Sequence, residues 1–217
     1  MARLAVIQFP GSNCDADVVW ALSAVLGQQA ELVWYEQSQL GGYDAVILPG
    51  GFAYGDYLRA GALAALAPVM PAVRGFAAAG GPVLGICNGF QVLTEVHLLP
   101  GSMIKNEHLH FICRDQTLRV ENAATAWTTE YAAGAEITIP LKNQDGQYVA
   151  DEKTLDALEA EGRVAFRYVG WNPNGSRRDI AGVTNERGNV VGLMPHPEHA
   201  VEPGFGPDSR EDGRNGT

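Results

Sequence analysis

Over the first half of the chain, apolar residues come in short unbroken runs separated by stretches of helical spacing. Residues 4–9 (LAVIQF) predict a strand. Val18, Val19, Leu22 and Leu26 fall at helical spacing across residues 15–26, with Gly27 as the stop. Residues 32–35 and 45–48 predict two more strands, and the second of these ends abruptly in Pro49-Gly50-Gly51. Residues 62–79 predict a helix before Gly80-Gly81-Pro82. Residues 83–86 predict a fourth strand, and a helix follows at once from Asn88 to about Val96. Continuous apolar strands alternating with helices imply a mostly parallel open sheet with helices on both faces. In such α/β sheets, ligands lie beyond the carboxyl ends of the strands. Pro49-Gly50-Gly51 and Cys87-Asn88-Gly89 both fall at such ends.

From residue 108 the pattern changes. Residues 108–114, 118–121 and 136–139 approximate polar/apolar alternation, which predicts additional antiparallel strands with one wet face. Residues 151–161 predict a helix, with Asp151 as N-cap and Gly162 as stop. Residues 164–169, 180–184 and 190–194 complete the sheet. One domain is expected over residues 1–202, followed by a polar, Gly-rich, mobile tail over residues 203–217.

Composition narrows the function classes. A 217-residue chain that is 46% hydrophobic suits one sizeable domain. A formal charge of −10 opposes binding to nucleic acid or an anionic membrane and leaves small molecules and proteins as partners. The run at residues 4–9 is too short for a signal-peptide core. No stretch approaches the ~20 apolar residues of a spanning helix. Three scattered cysteines cannot form a disulfide framework, and the expectation is a reduced, cytoplasmic protein. The cysteines and five histidines show no paired metal-ligand spacing, and there is no phosphate loop, so neither a metal nor a nucleotide is expected on this chain.

The chemistry concentrates in three segments. Cys87 stands between Gly85 and Gly89 at a strand-to-helix turn, a nucleophile elbow with sulfur in place of oxygen. A free cysteine is ordinarily a small buried hydrophobe. Here the flanking elements instead place its sulfur at a helix N-terminus, whose positive end favours thiolate. The Asn88 N–H points the same way and can serve an oxyanion. Met194-Pro195-His196-Pro197-Glu198 follows a buried strand and offers a base with its orienter. Residues before proline are biased toward extended backbone, which would set His196 and Glu198 on one side. A solvated surface turn is the ordinary alternative for such a segment; its place after a buried strand favours the functional reading. Gly50, Gly51 and Phe52 form the third segment, where unhindered N–H groups could complete an oxyanion hole. Cys14 and Cys113 lack this context and read as structural.

Together the elbow over residues 85–91, the Pro49-Gly50-Gly51 loop and His196-Pro197-Glu198 resemble the class I (triad) glutamine amidotransferases, whose sheet is flavodoxin-like. The longer motifs at residues 51–61, 111–114 and 172–176 are similar to those of the glutaminase subunits of phosphoribosylformylglycinamidine synthase. The resemblance runs from Gln8 to Ala200. It implies that Cys87 attacks the carboxamide of L-glutamine, that His196 is base and then acid with Glu198 orienting it, and that Gln91 helps place the substrate. It also implies a large ATP-dependent synthetase partner, which carries ATP and Mg, and a small accessory subunit. The ammonia released would convert formylglycinamide ribonucleotide to the amidine in purine synthesis.

Three positions depart from the family pattern: Asn143 stands for a histidine, Asp145 for a glutamate, and His199 where arginine is common. Two other readings compete. A γ-glutamyl peptidase or deglycase-like hydrolase would share the elbow but not the motif at residues 54–61. A scaffold with a vestigial triad would not need Cys87, His196 and Glu198 all intact.

Overall fold

A computed structural model describes residues 1–203. The expected tail lies, apart from Pro203, outside the described residues. Nine strands form one sheet in the order β2-β1-β3-β4-β11-β10-β9-β6-β7. Its first half holds β1 (Arg3–Gln8), β2 (Gln29–Trp34), β3 (Ala45–Leu48), β4 (Val83–Ile86) and β11 (Val190–Leu193), all mutually parallel. Beyond β11 every pairing is antiparallel, through β10 (Ile180–Thr184), β9 (Val164–Tyr168), β6 (Ile112–Val120) and β7 (Glu136–Asn143). A separate short pair joins β5 (Ser102–Ile104) to β8 (Gln147–Val149).

The central parallel strands β1, β3, β4 and β11 are buried on both faces, as their unbroken apolar runs require, whereas the edge strand β2 is largely exposed. Alternation along each strand assigns the faces. Gly85 and Gly192 point toward α3 (Asn88–Glu95), where an added Cβ would strike Leu93 and Phe90. Leu84, Ile86, Val191 and Leu193 point the other way, into an apolar cavity of about 260 Å³ beside Val18 and Leu22. Those two residues come from α1 (Asp15–Trp20) and the π turn Ala21–Val25 that continues it, so helical segments lie on both faces.

Several expectations are corrected by local chemistry. The helix expected at residues 62–79 is divided into a 3-10 turn at Ala64–Leu66 and α2 (Met70–Ala78). Pro68 and Pro71 cannot sit in a helix interior, and Pro71 is accommodated in the first turn of α2. The strand expected to start at residue 108 begins only at Ile112. Before it the chain turns through Leu109 at φ 60, while His108 Nε2 lies 3.0 Å from the Pro173 carbonyl. The segments at 112–114 and 118–120 are one strand, not two. The helix at residues 151–161 is as expected. Asp151 caps α4 (Glu152–Ala160) by accepting from the Thr154 N–H at 2.7 Å, and Gly162 follows at φ 64. No helix among the described residues is long and apolar enough to cross a membrane.

Candidate active site

The site is assembled from the carboxyl ends of three adjacent parallel strands, β3, β4 and β11. At the end of β4, Cys87 has φ 50 and ψ −105, a left-handed backbone that is rare for a side chain bearing a Cβ. Its N–H is held by the Leu193 carbonyl at 2.8 Å, and α3 starts at the next residue. The glycine after it has a packing role. A Cβ on Gly89 would lie 1.9 Å from the Leu48 carbonyl oxygen, so only glycine lets α3 seat against the end of β3.

His196 follows β11. Its N–H donates to the Pro140 carbonyl at 2.8 Å, and the residue is 1% exposed. Its Nδ1–H donates to Glu198 Oε1 at 2.6 Å. The sequence expectation of this pair holds, but the backbone route differs. Glu198 lies in a 3-10 turn, Pro197–His199, not an extended segment, because Pro197 is set for the first turn of a helix. Burial opposes charge on His196. The Glu198 carboxylate, with Cys87 close by, outweighs it and holds the imidazole well above its usual pKa. Burial would push Glu198 up, but the facing imidazolium holds it below the usual carboxylate range. With Nδ1 committed to Glu198, Nε2 is left buried and without an aligned hydrogen bond among the described residues. It is the ring nitrogen free to move a proton.

Cys87 Sγ and His196 both line a cleft of about 110 Å³, with Asn13, Phe52, Gln91 and Asp145 on its walls. Lys142, at the end of β7, supplies a carbonyl 3.8 Å from Cys87 Sγ. The cleft also contains Cys14, which sequence reasoning read as structural. Cys14 Sγ and His196 Nδ1 both press on Gly50, within 3.5 and 3.3 Å of where its Cβ would be, and the Cys14 thiol acts on the imidazole. The available signal was its place just after the first parallel strand, whose carboxyl end is on the same edge.

The loop after β3 is more constrained than a Gly-Gly turn suggests. Ser12 and Gly51 form an antiparallel bridge, in which Phe52 N–H donates to the Gly11 carbonyl at 2.9 Å and Asn13 N–H to the Gly50 carbonyl at 3.3 Å. Phe52 N–H, expected to serve an oxyanion, is engaged by the Gly11 carbonyl in this structure. Gly51 and Asn88 N–H find no backbone acceptor among the described residues. Gly51, at φ 141, would place a Cβ 2.5 Å from the Asn13 nitrogen. Phe52 contributes a half-exposed ring to the cleft wall instead.

Asn88 and Gln91 are also bound to the protein. Asn88 Oδ1 accepts from Ala53 N–H at 3.1 Å, and its Nδ2 donates to Gln91 Oε1 at 2.8 Å and Asp56 Oδ1 at 3.3 Å. Gln91 Nε2 donates to the Asp145 carbonyl at 2.7 Å. With both ends of its amide engaged, Gln91 acts as a brace between α3 and the loop after β7. Behind that loop, Asn174 Nδ2 donates to Asn106 Oδ1 at 2.8 Å and Asn143 Oδ1 at 2.7 Å, and Asn106 Oδ1 accepts from Gly146 N–H. The departure at Asn143 is thus part of a buried amide network. Asp56 is raised to about 6, first by burial and then by the charge of Asp145.

Such an arrangement can hold a nucleophilic sulfur, pass its proton through Nε2, and offer two N–H donors to a developing oxyanion. Residues 1–215 match the CobB/CobQ-like glutamine amidotransferase domain. The chain is 64% identical to phosphoribosylformylglycinamidine synthase subunit PurQ of Streptomyces avermitilis, over 98% of this chain and 93% of that one. The subunit of the same name from Streptomyces coelicolor is 66% identical over 93% of this chain and 88% of its own. The structure of PurLQS from Thermotoga maritima contains a chain that superposes with a TM-score of 0.88 at 42% identity, covering 100% of this chain and 96% of that one. By fold, site and sequence, this chain belongs to the glutamine amidotransferase family of phosphoribosylformylglycinamidine synthase PurQ subunits.

Proposed function

We propose that this chain is the glutamine-hydrolysing subunit of a cytoplasmic phosphoribosylformylglycinamidine synthase. Cys87 attacks the carboxamide carbon of L-glutamine, and Gly51 and Asn88 N–H groups take the oxyanion. His196 Nε2 delivers its proton to the leaving nitrogen, so ammonia departs and a glutamyl thioester remains. Water then attacks with Nε2 as base, releasing glutamate and restoring the thiol. Glu198 keeps the imidazole in register and compensates its charge throughout.

The observation that carries this reading is the left-handed Cys87 elbow beside a His196–Glu198 pair, at the ends of neighbouring strands. The exposed apolar residues Phe52, Tyr57, Leu58 and Phe111 border the same cleft or its loop and fit a protein partner over its mouth. That partner is the ATP-dependent synthetase, holding ATP and Mg, joined by a small accessory subunit and converting formylglycinamide ribonucleotide to the amidine. This chain needs no cofactor of its own for the reaction.

The test is glutamine hydrolysis by wild type and Cys87→Ala, with and without the synthetase subunit. Low activity alone, stimulation by the partner and near-total loss in the variant are expected. Full activity in Cys87→Ala would overturn the mechanism, and stimulation by an unrelated synthetase would overturn the pathway.

A further inference from the structure

Behind the catalytic imidazole, Cys14, Glu198 and His199 each offer one donor atom, and all three atoms lie within 4.8 Å of one another. The set mixes thiol, carboxylate and imidazole, the three donor types that Zn²⁺ accepts. Tetrahedral zinc with bonds of about 2.0–2.3 Å separates its ligand atoms by roughly 3.3–3.8 Å, so small side-chain movements would close the site. His199 Nδ1 already lies 3.8 Å from Glu198 Oε1.

Two further observations point to a ligand. Glu198 is 7% exposed, yet its Oε2 is buried with no hydrogen-bond partner among the described residues. A buried carboxylate oxygen normally has one, and a cation would supply it. The other ring nitrogen of His199, Nε2, lies 3.0 Å from Asp17 Oδ2. This is the outer-shell carboxylate that metal-bound histidines usually have, and it fixes the tautomer that leaves Nδ1 free as a ligand. Cys14 is buried and free of any disulfide.

We propose that Cys14, Glu198 and His199 form a three-ligand Zn²⁺ site, with Asp17 as its outer-shell support, and that the bound ion inhibits glutamine hydrolysis. Binding requires Cys14 as thiolate, so a proton is released to solvent as the metal enters. Inhibition follows from the shared carboxylate. Glu198 Oε1 holds His196 Nδ1 at 2.6 Å, and a dication on that carboxylate draws it away from the ring. The imidazole then loses the contact that orients it toward the nucleophile. The inhibitory step rests on the function proposed above, whereas the binding step does not.

Equilibrium dialysis against Zn²⁺, and Co²⁺ absorption as a reporter of thiolate ligation, separate the two. Wild type and Cys87→Ala are expected to bind one ion each with a thiolate–cobalt band, while Cys14→Ser and His199→Gln lose the band. Asp17 is on the surface, so Asp17→Asn folds normally and keeps basal activity, and it should bind about 10–100-fold more weakly. Wild-type glutaminase should fall with a midpoint matching the dialysis constant and recover on chelation, and Asp17→Asn should require correspondingly more metal. A band lost in Cys87→Ala but kept in Cys14→Ser would place the ion on the nucleophile and overturn the site. So would the absence of stoichiometric binding, or equal affinity in Asp17→Asn. Binding as expected, with hydrolysis unaffected, would overturn the inhibition alone.

Discussion

Gly50 and His196 lie so close that a methyl group on Gly50 would sit 2.6 Å from the imidazole Cε1. The loop after β3 therefore sets the position of the base as well as bordering the cleft. Gly50→Ala must displace the imidazole, since His196 is otherwise held by the Pro140 carbonyl and Glu198. A shift of about 1 Å in a reacting group can cost on the order of 100-fold in rate, so kcat is expected to fall by about that factor. Circular dichroism should show a folded protein. Unchanged kcat would mean that Gly50 does not control the imidazole.

Glu198→Gln keeps the shape and removes the charge. Glutamine can accept at Nδ1 but does not stabilise imidazolium, so kcat should fall by about 10³–10⁴. Stability should change with pH in a definite sense. His196 has a raised folded pKa, so its contribution is present below the ordinary value of 6.5 and is lost as pH rises through the raised one. Glu198 has a lowered folded pKa, so its contribution is present above 4.5 and is lost as pH falls through the lowered one. Thermal melts across the pH range should therefore show the largest gap between wild type and variant at about pH 5–6, narrowing on both sides. A gap independent of pH would show that the charged pair is not what the carboxylate provides.

What was legible in the sequence was what local rules dictate. Residues 83–86 and 180–184 match β4 and β10 residue for residue, and the elbow and the Asp151 cap were both readable from neighbouring residue types. What was not legible depends on chain crossing. Nothing local to Cys14 shows that its thiol faces a histidine 182 residues later, because the contact is made by β1 and β11 ending on one edge of the sheet. For Gln91 the family resemblance implied a part in placing the substrate. Its amide is engaged by Asn88 and by a carbonyl from the loop after β7, contacts that no spacing rule anticipates. The short strands β5 and β8 were missed because three residues carry too little periodicity to register.

Asn174 is a fold-critical residue with an effect on the cleft. Its amide accepts from the Tyr168 hydroxyl at 2.8 Å while serving Asn106 and Asn143. In Asn174→Ala the Tyr168 hydroxyl and Asn143 Oδ1 lose this partner, while Asn106 Oδ1 keeps the Gly146 N–H. At about 1–3 kcal/mol for each orphaned group, a loss of about 3 kcal/mol is expected, lowering Tm by roughly 6–12 °C. The loop carrying Asn143 to Gly146 would loosen with it, releasing the Asp145 carbonyl from Gln91, so KM for glutamine should rise in protein that remains folded. Calorimetry with steady-state kinetics checks both. A Tm within a degree of wild type would show that the network is dispensable.

Asp56 should give the cleft a titration near pH 6. It is half-buried, close to Asp145, and accepts from Asn88 Nδ2, the same amide that fixes Gln91. Burial first and then the charge of Asp145 raise its pKa from 3.8 to about 6. An acid with a raised folded pKa contributes stability that is full below its unfolded value and is lost as pH rises through the folded one. Here that loss occurs between pH 3.8 and about 6. Asn mimics the protonated form, so Asp56→Asn should gain on wild type as pH rises through this window. Solvent reaches the group, so the gain in Tm should be small, about 1–2 °C. Ionised Asp56 repels Asp145 across the cleft and pulls on the Asn88 amide, so kcat/KM for wild type should bend near pH 6 while the variant's profile runs straight through. A bend of equal size in Asp56→Asn would assign that titration to another group, and the carboxyl would then be a passive part of the wall.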